Sequence, residues 1–322
     1  MTSSDTPTHL RIHQFAGLAK GPRLLITGAV HGNEICGSLA ITRLLEQLDR
    51  GALRLLRGTL TCVPVVNPLA YQRGQREGER NLNRNLRECP IPQDVEDRIA
   101  NQLCPLLAAH EVLLDLHSFQ GQGQAFVMLG PRDNQGELEP FAHASAEAAL
   151  AAALGPTRIV EGWLSTYELG LRRRAEQGAP LQDPHYGMGT TEYMRARGGY
   201  GVTLECGQHA DPQAPEVAYL AILRTLVLLG MLAPASVDAH RPASPPELLK
   251  LYEVVDRQHE GDRFEREWAS FDALTQGQRI GTRHDGTPVL APADGRIVFP
   301  NSKALAGHEW FYLARASDRR LG

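Results

Sequence analysis

No stretch of this sequence is apolar for long enough to cross a membrane. The longest, residues 218–233, is interrupted by Arg224 and falls short of the ~18 residues a membrane helix needs, so it reads as a buried helix. The opening MTSSDTPTHL has no basic start followed by an apolar core, which predicts no signal peptide and a cytoplasmic protein without a membrane partner. Five cysteines, at 36, 62, 89, 104 and 206, are an odd and scattered set with no CxxC spacing. They argue against a disulfide framework and suit a reducing compartment. Positive charge is not in excess either. The chain has 33 Lys and Arg against 37 Asp and Glu, a net charge of −4, and a pI of about 6.3. A nucleic-acid partner is therefore not expected. Internal repeats are absent, and the glycine-bearing stretch 28–37 lacks the Gly-Lys-Ser/Thr of a phosphate loop.

What is present is a long globular chain. Its 322 residues are 42% hydrophobic, enough for a sizeable core and for two domains. Up to about residue 235, strand-like segments (23–30, 59–66, 111–117, 124–129 and 201–206) alternate with helix-like ones (34–50, 94–109, 138–154 and 213–232). Such alternation predicts an α/β fold, a mixed but mostly parallel sheet with helices on both faces. The first of these helices is expected to bury Ile35, Leu39, Ile41, Leu45 and Leu48. Four prolines between 234 and 247 read as a linker, set at 236–247. The expected division is a domain over 1–235 and a small C-terminal β domain over 248–322, where short β-like runs alternate with glycine turns. The run APADGRIV in that domain resembles biotinyl and lipoyl modules but lacks their Met-Lys-Met, so a structural or lid role is expected.

The chemistry concentrates at strand ends. In GAVHGNEICG, His31 and Glu34 fall where the apolar run Leu24-Leu25-Ile26-Thr27 stops and a helical pattern begins. In open α/β sheets, ligand sites lie at such carboxyl ends. A His-x-x-Glu pattern alone is weak in a chain with twelve histidines. A third candidate strengthens it: His117 closes the buried-looking run LLDLH, sharing a strand face with Asp115. An unpaired imidazole there would be costly. His31, Glu34 and His117 make a two-histidine, one-carboxylate set, and catalytic zinc takes three protein ligands and leaves one position open. Glu205, at the end of the apolar strand GVTLE, is the candidate general base. The stretch 71–88 follows another strand end, VVNP, and carries arginines 73, 76, 80, 84 and 87. Arginine forks grip carboxylates, so this loop suits an anionic substrate.

Taken in order, HGNE, VNP, NLNR, DLHS and VTLECG resemble the succinylglutamate desuccinylase/aspartoacylase family, of the zinc carboxypeptidase superfamily. The resemblance extends over nearly the whole chain and implies a zinc-carboxypeptidase-like fold. It implies one zinc ion held by His31, Glu34 and His117, with Glu205 activating water. It further implies that Arg76 polarises the scissile carbonyl, that Asn83 and Arg84 bind a substrate carboxylate, and that Arg195 meets the acidic side chain of the substrate. Two positions depart from the family. Asn81 stands where members usually have an aspartate that helps orient the arginines. The stretch FPNSKALAG contains no counterpart of the tyrosine that aspartoacylases bring from the C-terminal domain.

The expected activity is a zinc-dependent deacylase whose partner is a small N-acyl amino acid with a free carboxylate. Three rival classes are a metallocarboxypeptidase acting on small peptides, a zinc-binding protein that has lost catalysis, with Asn81 as its mark, and a nucleic-acid binder built on the basic loop. The net negative charge opposes the last.

Overall fold

The computed structural model describes residues 7–176, 178–180, 182–236 and 246–321. The chain begins with β1 (His13–Ala16), β2 (Ala19–Gly28), α1 (Cys36–Asp49), β3 (Arg57–Val63), α2 (Pro68–Arg73) and α3 (Val95–Ala109). It continues through β4 (Val112–Phe119), β5 (Phe126–Leu129), α4 (Ala144–Ala153), β6 (Arg158–Glu161), α5 (Trp163–Glu176), α6 (Thr190–Ala196), β7 (Tyr200–Gln208) and α7 (Ala214–Leu228). The remainder is β: β8 (Glu247–Asp256), β9 (Arg263–Phe264), β10 (Ala273–Leu274), β11 (Arg279–Thr282), β12 (Pro288–Leu290), β13 (Gly295–Val298) and β14 (Glu309–Ala316).

Eleven strands form one sheet in the order β1-β3-β2-β4-β7-β5-β6-β8-β14-β13-β10, and β12, β11 and β9 form a second. Strands β3, β2, β4 and β7 pair in parallel. Strand β5 runs against β7, while β6 and β8 are again parallel to β5. The fold is thus the mixed, mostly parallel α/β sheet expected, and its C-terminal strands are joined to it. β8 pairs with β6, and β14, β13 and β10 continue outward in antiparallel fashion. Of the expected linker, residues 237–245 lie outside the described residues.

Alternation along the central strands divides the core between the two faces. Leu24 and Ile26 of β2 pack with Ile41 and Leu44 of α1 and with Ile222 and Leu226 of α7. Leu25, between them, packs on the other face with Ile99, Leu103 and Leu107 of α3 and Met194 of α6. β4 is buried along its whole length, as a central parallel strand is when both faces are covered.

The face expected for the first helix needs correction. Ile35 and Leu39 are 43% and 47% exposed, while Ala40, Ile41, Leu44 and Leu45 are buried. The helix starts at Cys36, and the 40-41-44-45 spacing is what points at the sheet. Strands β1 and β6 and helices α5 and α6 are not among the segments expected from sequence. They are short, or they carry little apolar periodicity and are ordered by the sheet beside them.

Register brings the site residues to one edge. Thr27 pairs with Asp115, and His117 with Glu205. Beyond β2 the chain turns sharply, with Ala29 at φ 47°. At Gly32 it passes so close to α2 that a Cβ would lie 2.0 Å from the Ala70 carbonyl carbon. Gly32→Ala is therefore expected to displace this turn and to cost roughly 1–3 kcal/mol of unfolding free energy in urea. A change below about 0.5 kcal/mol, the usual scale of neutral substitutions, would contradict that packing.

Candidate metal centre and active site

Three strand ends supply the centre. Glu34, 1% exposed, has its Oε2 2.8 Å from His117 Nδ1 and accepts the Ser118 backbone N–H at 3.1 Å. Its Oε1 accepts from Arg76 Nη1 at 2.9 Å and lies 2.8 Å from His31 Nδ1. The two imidazoles meet edge to face with centroids 5.0 Å apart. The ligand atoms of His31, Glu34 and His117 all lie within 4.8 Å of one another.

Each imidazole is held from behind. His117 Nε2 lies 2.9 Å from Asp115 Oδ2. Asp115 also accepts the hydroxyls of Thr27, at 2.6 Å, and of Thr190. His31 Nε2 lies 3.1 Å from Asn81 Oδ1, which also accepts the Asn83 N–H. Asn81 thus stabilises the ring of His31 and the backbone of the NLNR turn. Partners of this kind orient metal-binding histidines and set their tautomer.

The titration of the two histidines is driven apart. Burial, reinforced by Arg76, lowers His31 to about 4 against the pull of Glu34. Burial disfavours charge on His117 too, but Asp115 and Glu34 on its two sides raise it well above its ordinary value. Glu34 is held well below the carboxylate range, because the two imidazoles outweigh the cost of its burial. A neutral His31 that donates from Nε2 to Asn81 leaves a lone pair on Nδ1. That atom is buried and has no hydrogen-bond partner, although Glu34 Oε1 is 2.8 Å away. Two electron-pair donors at that separation repel unless a cation lies between them, and this is where the residues fit a metal ion.

Glu205 faces the same point from β7. It is 9% exposed, and its Oε2 is buried without a partner. Burial, and then repulsion from Glu34, push its carboxyl up to about 8 against the attraction of His117 and Arg76. All eight site residues expected from sequence line one cavity of about 1790 Å³.

Their availability differs. Arg84 donates from Nη1 to the Asn83 carbonyl at 2.8 Å and lies 4.8 Å over the Trp163 ring. Among the described residues no carboxylate lies within ion-pair distance of it, although its charge helps hold the carboxyl of Glu309 below its ordinary value against the cost of burial. Asn83 uses its side-chain oxygen to accept the Thr190 N–H at 2.9 Å. Arg195 is different: its side chain is 3% exposed. It makes two bonds to Glu147, at 2.9 and 3.0 Å, and one each to Glu139 at 2.7 Å, Glu192 at 3.5 Å and the Gly201 carbonyl at 3.0 Å. A guanidinium has five N–H groups, so none is left for a substrate. The surplus of carboxylates around Arg195 is felt at Glu139: burial, aided by Glu192 and opposed by Arg195, pushes it up to about 7.

Several residues escaped the sequence reading. Arg80 binds Asp94 at 2.8 Å and Asp97 at 2.7 Å, which makes it an anchor of the arginine loop. Glu96, fully buried, accepts from Asn67 Nδ2 and from the N–H groups of Gly78 and Glu79. Trp163 and His209 line the cavity. Asp115, by contrast, is the one orienting residue that its spacing from His117, two residues along one strand face, had already placed beside it.

The fold and this centre define a class: an α/β protein with a buried two-histidine, one-carboxylate set at the carboxyl edge of its sheet. The model of the succinylglutamate desuccinylase/aspartoacylase catalytic domain matches residues 20–221, and the chain belongs to that family of deacylating hydrolases. No curated protein is similar enough to match it. It is similar to a solved succinylglutamate desuccinylase/aspartoacylase from Rhodobacter sphaeroides, with 18% identity, a TM-score of 0.73, and 96% of this chain and 90% of that one covered. It is also similar to the product-bound ectoine utilization protein EutE (DoeB) from Ruegeria pomeroyi, with 20% identity, a TM-score of 0.71, and 95% and 88% covered. A succinylglutamate desuccinylase from Vibrio parahaemolyticus gives 17% identity, a TM-score of 0.67, and 96% and 87% covered. At these identities the likeness is one of fold. Among the described residues, no helix is long and apolar enough to cross a membrane.

The Arg195 network generates a test. Arg195→Ala leaves buried carboxylates uncompensated and is expected to cost about 3–5 kcal/mol in denaturant unfolding. A loss below about 1 kcal/mol, the scale of an exposed ion pair, together with a raised KM, would instead mark a substrate contact.

Proposed function

We propose that this protein is a zinc-dependent amide hydrolase that removes the acyl group from small N-acyl amino acids carrying a free carboxylate. The observation that carries the reading is the convergence of His31, Glu34 and His117 beside an unpartnered, buried oxygen of Glu205. One zinc ion per chain, held by those three side chains with a fourth position open, would bring a water towards a pKa of ~7 and polarise the acyl carbonyl.

The chain's own groups supply the rest. Glu205 takes a proton from the attacking water. Its buried Oε2 has no partner among the described residues, so it is open to accept that proton. The same carboxyl then returns the proton to the departing amine nitrogen. Arg76, tethered to Glu34 at 2.9 Å and half-exposed to the cavity, is assigned to the developing oxyanion. Arg84, stacked on Trp163 and in no close ion pair among the described residues, is assigned with the amide group of Asn83 to the substrate carboxylate. Arg195 is assigned to the framework. We place the reaction in the cytoplasm, supported by five free thiols. One observation favours a second reading, a carboxypeptidase acting on small peptides: the cavity of about 1790 Å³ exceeds the usual ~300–1,000 Å³ of a small-molecule site.

Metal analysis is expected to find about one zinc per chain, lost to a chelator and in His31→Ala and His117→Ala. Protein without metal, or metal unchanged in both variants, would overturn the ligand set. Glu205→Gln should keep the metal and the fold and lose roughly 10²–10⁴ in kcat; wild-type turnover in that variant refutes the base assignment. A hydrolysis screen of N-acetyl and N-succinyl amino acids and dipeptides, each as acid and amide, tests the substrate class. Free acids should exceed amides by roughly 10- to 150-fold in kcat/KM. Equal rates speak against carboxylate recognition, and a preference for dipeptides selects the carboxypeptidase.

A further inference from the structure

Between β4 and β7 the ladder slips. His117 pairs with Glu205, but Phe119 pairs with Gln208, so β7 carries one extra residue over this step. The slip coincides with Gly207, at φ 130°, a conformation suited to glycine. Bulges of this kind re-aim the side chains that follow. Just past it, the His209 N–H is bonded to the Phe119 carbonyl at 3.0 Å, and the half-buried imidazole lines the same cavity as His117 and Glu205. The mechanism above leaves this histidine unused.

The ring is oriented by one contact. Ser118 Oγ lies 2.9 Å from His209 Nδ1. Ser118 is 3% exposed, and its hydroxyl proton must find an acceptor or bear the cost of burial unpaired. Among the described residues Nδ1 is the one it reaches. Ser118 therefore donates, Nδ1 accepts, and the ring proton sits on Nε2, which has no partner among the described residues. Burial disfavours the charged form of His209, in keeping with this neutral tautomer.

Position then says which part of a substrate it meets. Ser118 follows Leu114 and Leu116 at two-residue steps, on the face of β4 that packs under α1 and α7. Asp115 and His117 take the opposite face, where Asp115 is bonded to Thr190, and Asn83 is bonded to the same first residue of α6. His209 and the Asn83–Arg84 pair thus flank the centre from opposite faces of the sheet. A substrate whose amine half is anchored by its carboxylate at Asn83 and Arg84 directs its acyl half across the strand ends towards His209.

We propose that His209, oriented by Ser118, donates a hydrogen bond from Nε2 to the acyl half of the substrate and so selects acyl groups with an oxygen acceptor beyond the scissile carbonyl. This rests on the deacylase reading for its substrate but not for its test. Succinate and butanoate are the acids released from two matched acyl groups, and they differ at the far end, where one has a carboxylate and the other a methyl. Calorimetric titration of the purified protein is expected to show tighter binding of succinate. His209→Ala should shrink the ratio of the two affinities roughly tenfold or more, the worth of a hydrogen bond to a charged acceptor. His209→Gln, which keeps an N–H donor near the Nε2 position, should retain part of it. A merely structural histidine would weaken both acids alike and leave the ratio unchanged, which overturns the proposal. So does wild-type protein that does not prefer succinate, or a preference lost in Arg84→Ala and kept in His209→Ala. Hydrolysis tests the deacylase reading, whereas the affinity ratio needs no turnover, so the two fail separately.

Discussion

The buried carboxylate of Glu34 is the point on which the site depends. It draws together an imidazole from β4, a backbone N–H from the next residue of that strand, a guanidinium from the arginine loop and the imidazole three residues before it. An unpaired charge in such a place would be prohibitive. The cost is met because opposite charge arrives from two separate parts of the chain, His117 of β4 and Arg76 of the arginine loop. That convergence is possible because β2 and β4 are parallel neighbours, so the residues that leave them emerge at one edge.

Around this carboxylate lies a layer of groups with orienting roles. Asp115 and Asn81 each stand behind one imidazole and commit its outer nitrogen, which directs both inner nitrogens at Glu34. Glu96 and Arg80 do the same for the arginine loop, one through backbone N–H groups and the other through Asp94 and Asp97. An arginine loop without such ties would spend its positive charge on solvent. With them, Arg76 and Arg84 are held over the cavity while Arg80 acts as the tether. Asn81 holds the outer nitrogen of His31 and, being an amide, places no negative charge beside it.

The C-terminal strands belong to the same construction. Because β8 pairs with β6, the segment that follows β13 reaches back to the cavity, and Phe299, Pro300 and Lys303 form part of its wall. Phe299 packs against Phe119 and Phe126, next to the end of β4. The stretch without the expected tyrosine therefore still shapes the site, through apolar packing and one lysine. On the other side, the Arg195 network ties α6 to β7 and to the acidic residues after β5.

The sequence by itself determined the sheet's central strands, because each is an apolar run whose burial allows little else, and it singled out His31, Glu34 and His117, the three side chains that the fold gathers, because each sits where such a run stops. Asp115 was legible as a face-mate of His117 through strand alternation alone. Other features were not legible, for one physical reason: they depend on partners far away in the chain. Strand β6 and helix α5 are ordered by neighbours. The burial of Ile41 in place of Leu39 follows from how α1 lies on the sheet. Arg80, Arg84 and Arg195 look alike as letters, and only the tertiary structure decided that Arg80 is a tether, that Arg84 stacks on an aromatic ring outside any close ion pair among the described residues, and that Arg195 is consumed by three glutamates. His209 owes its place to a one-residue slip between two strands, and a slip of that kind exists only once the strands have paired.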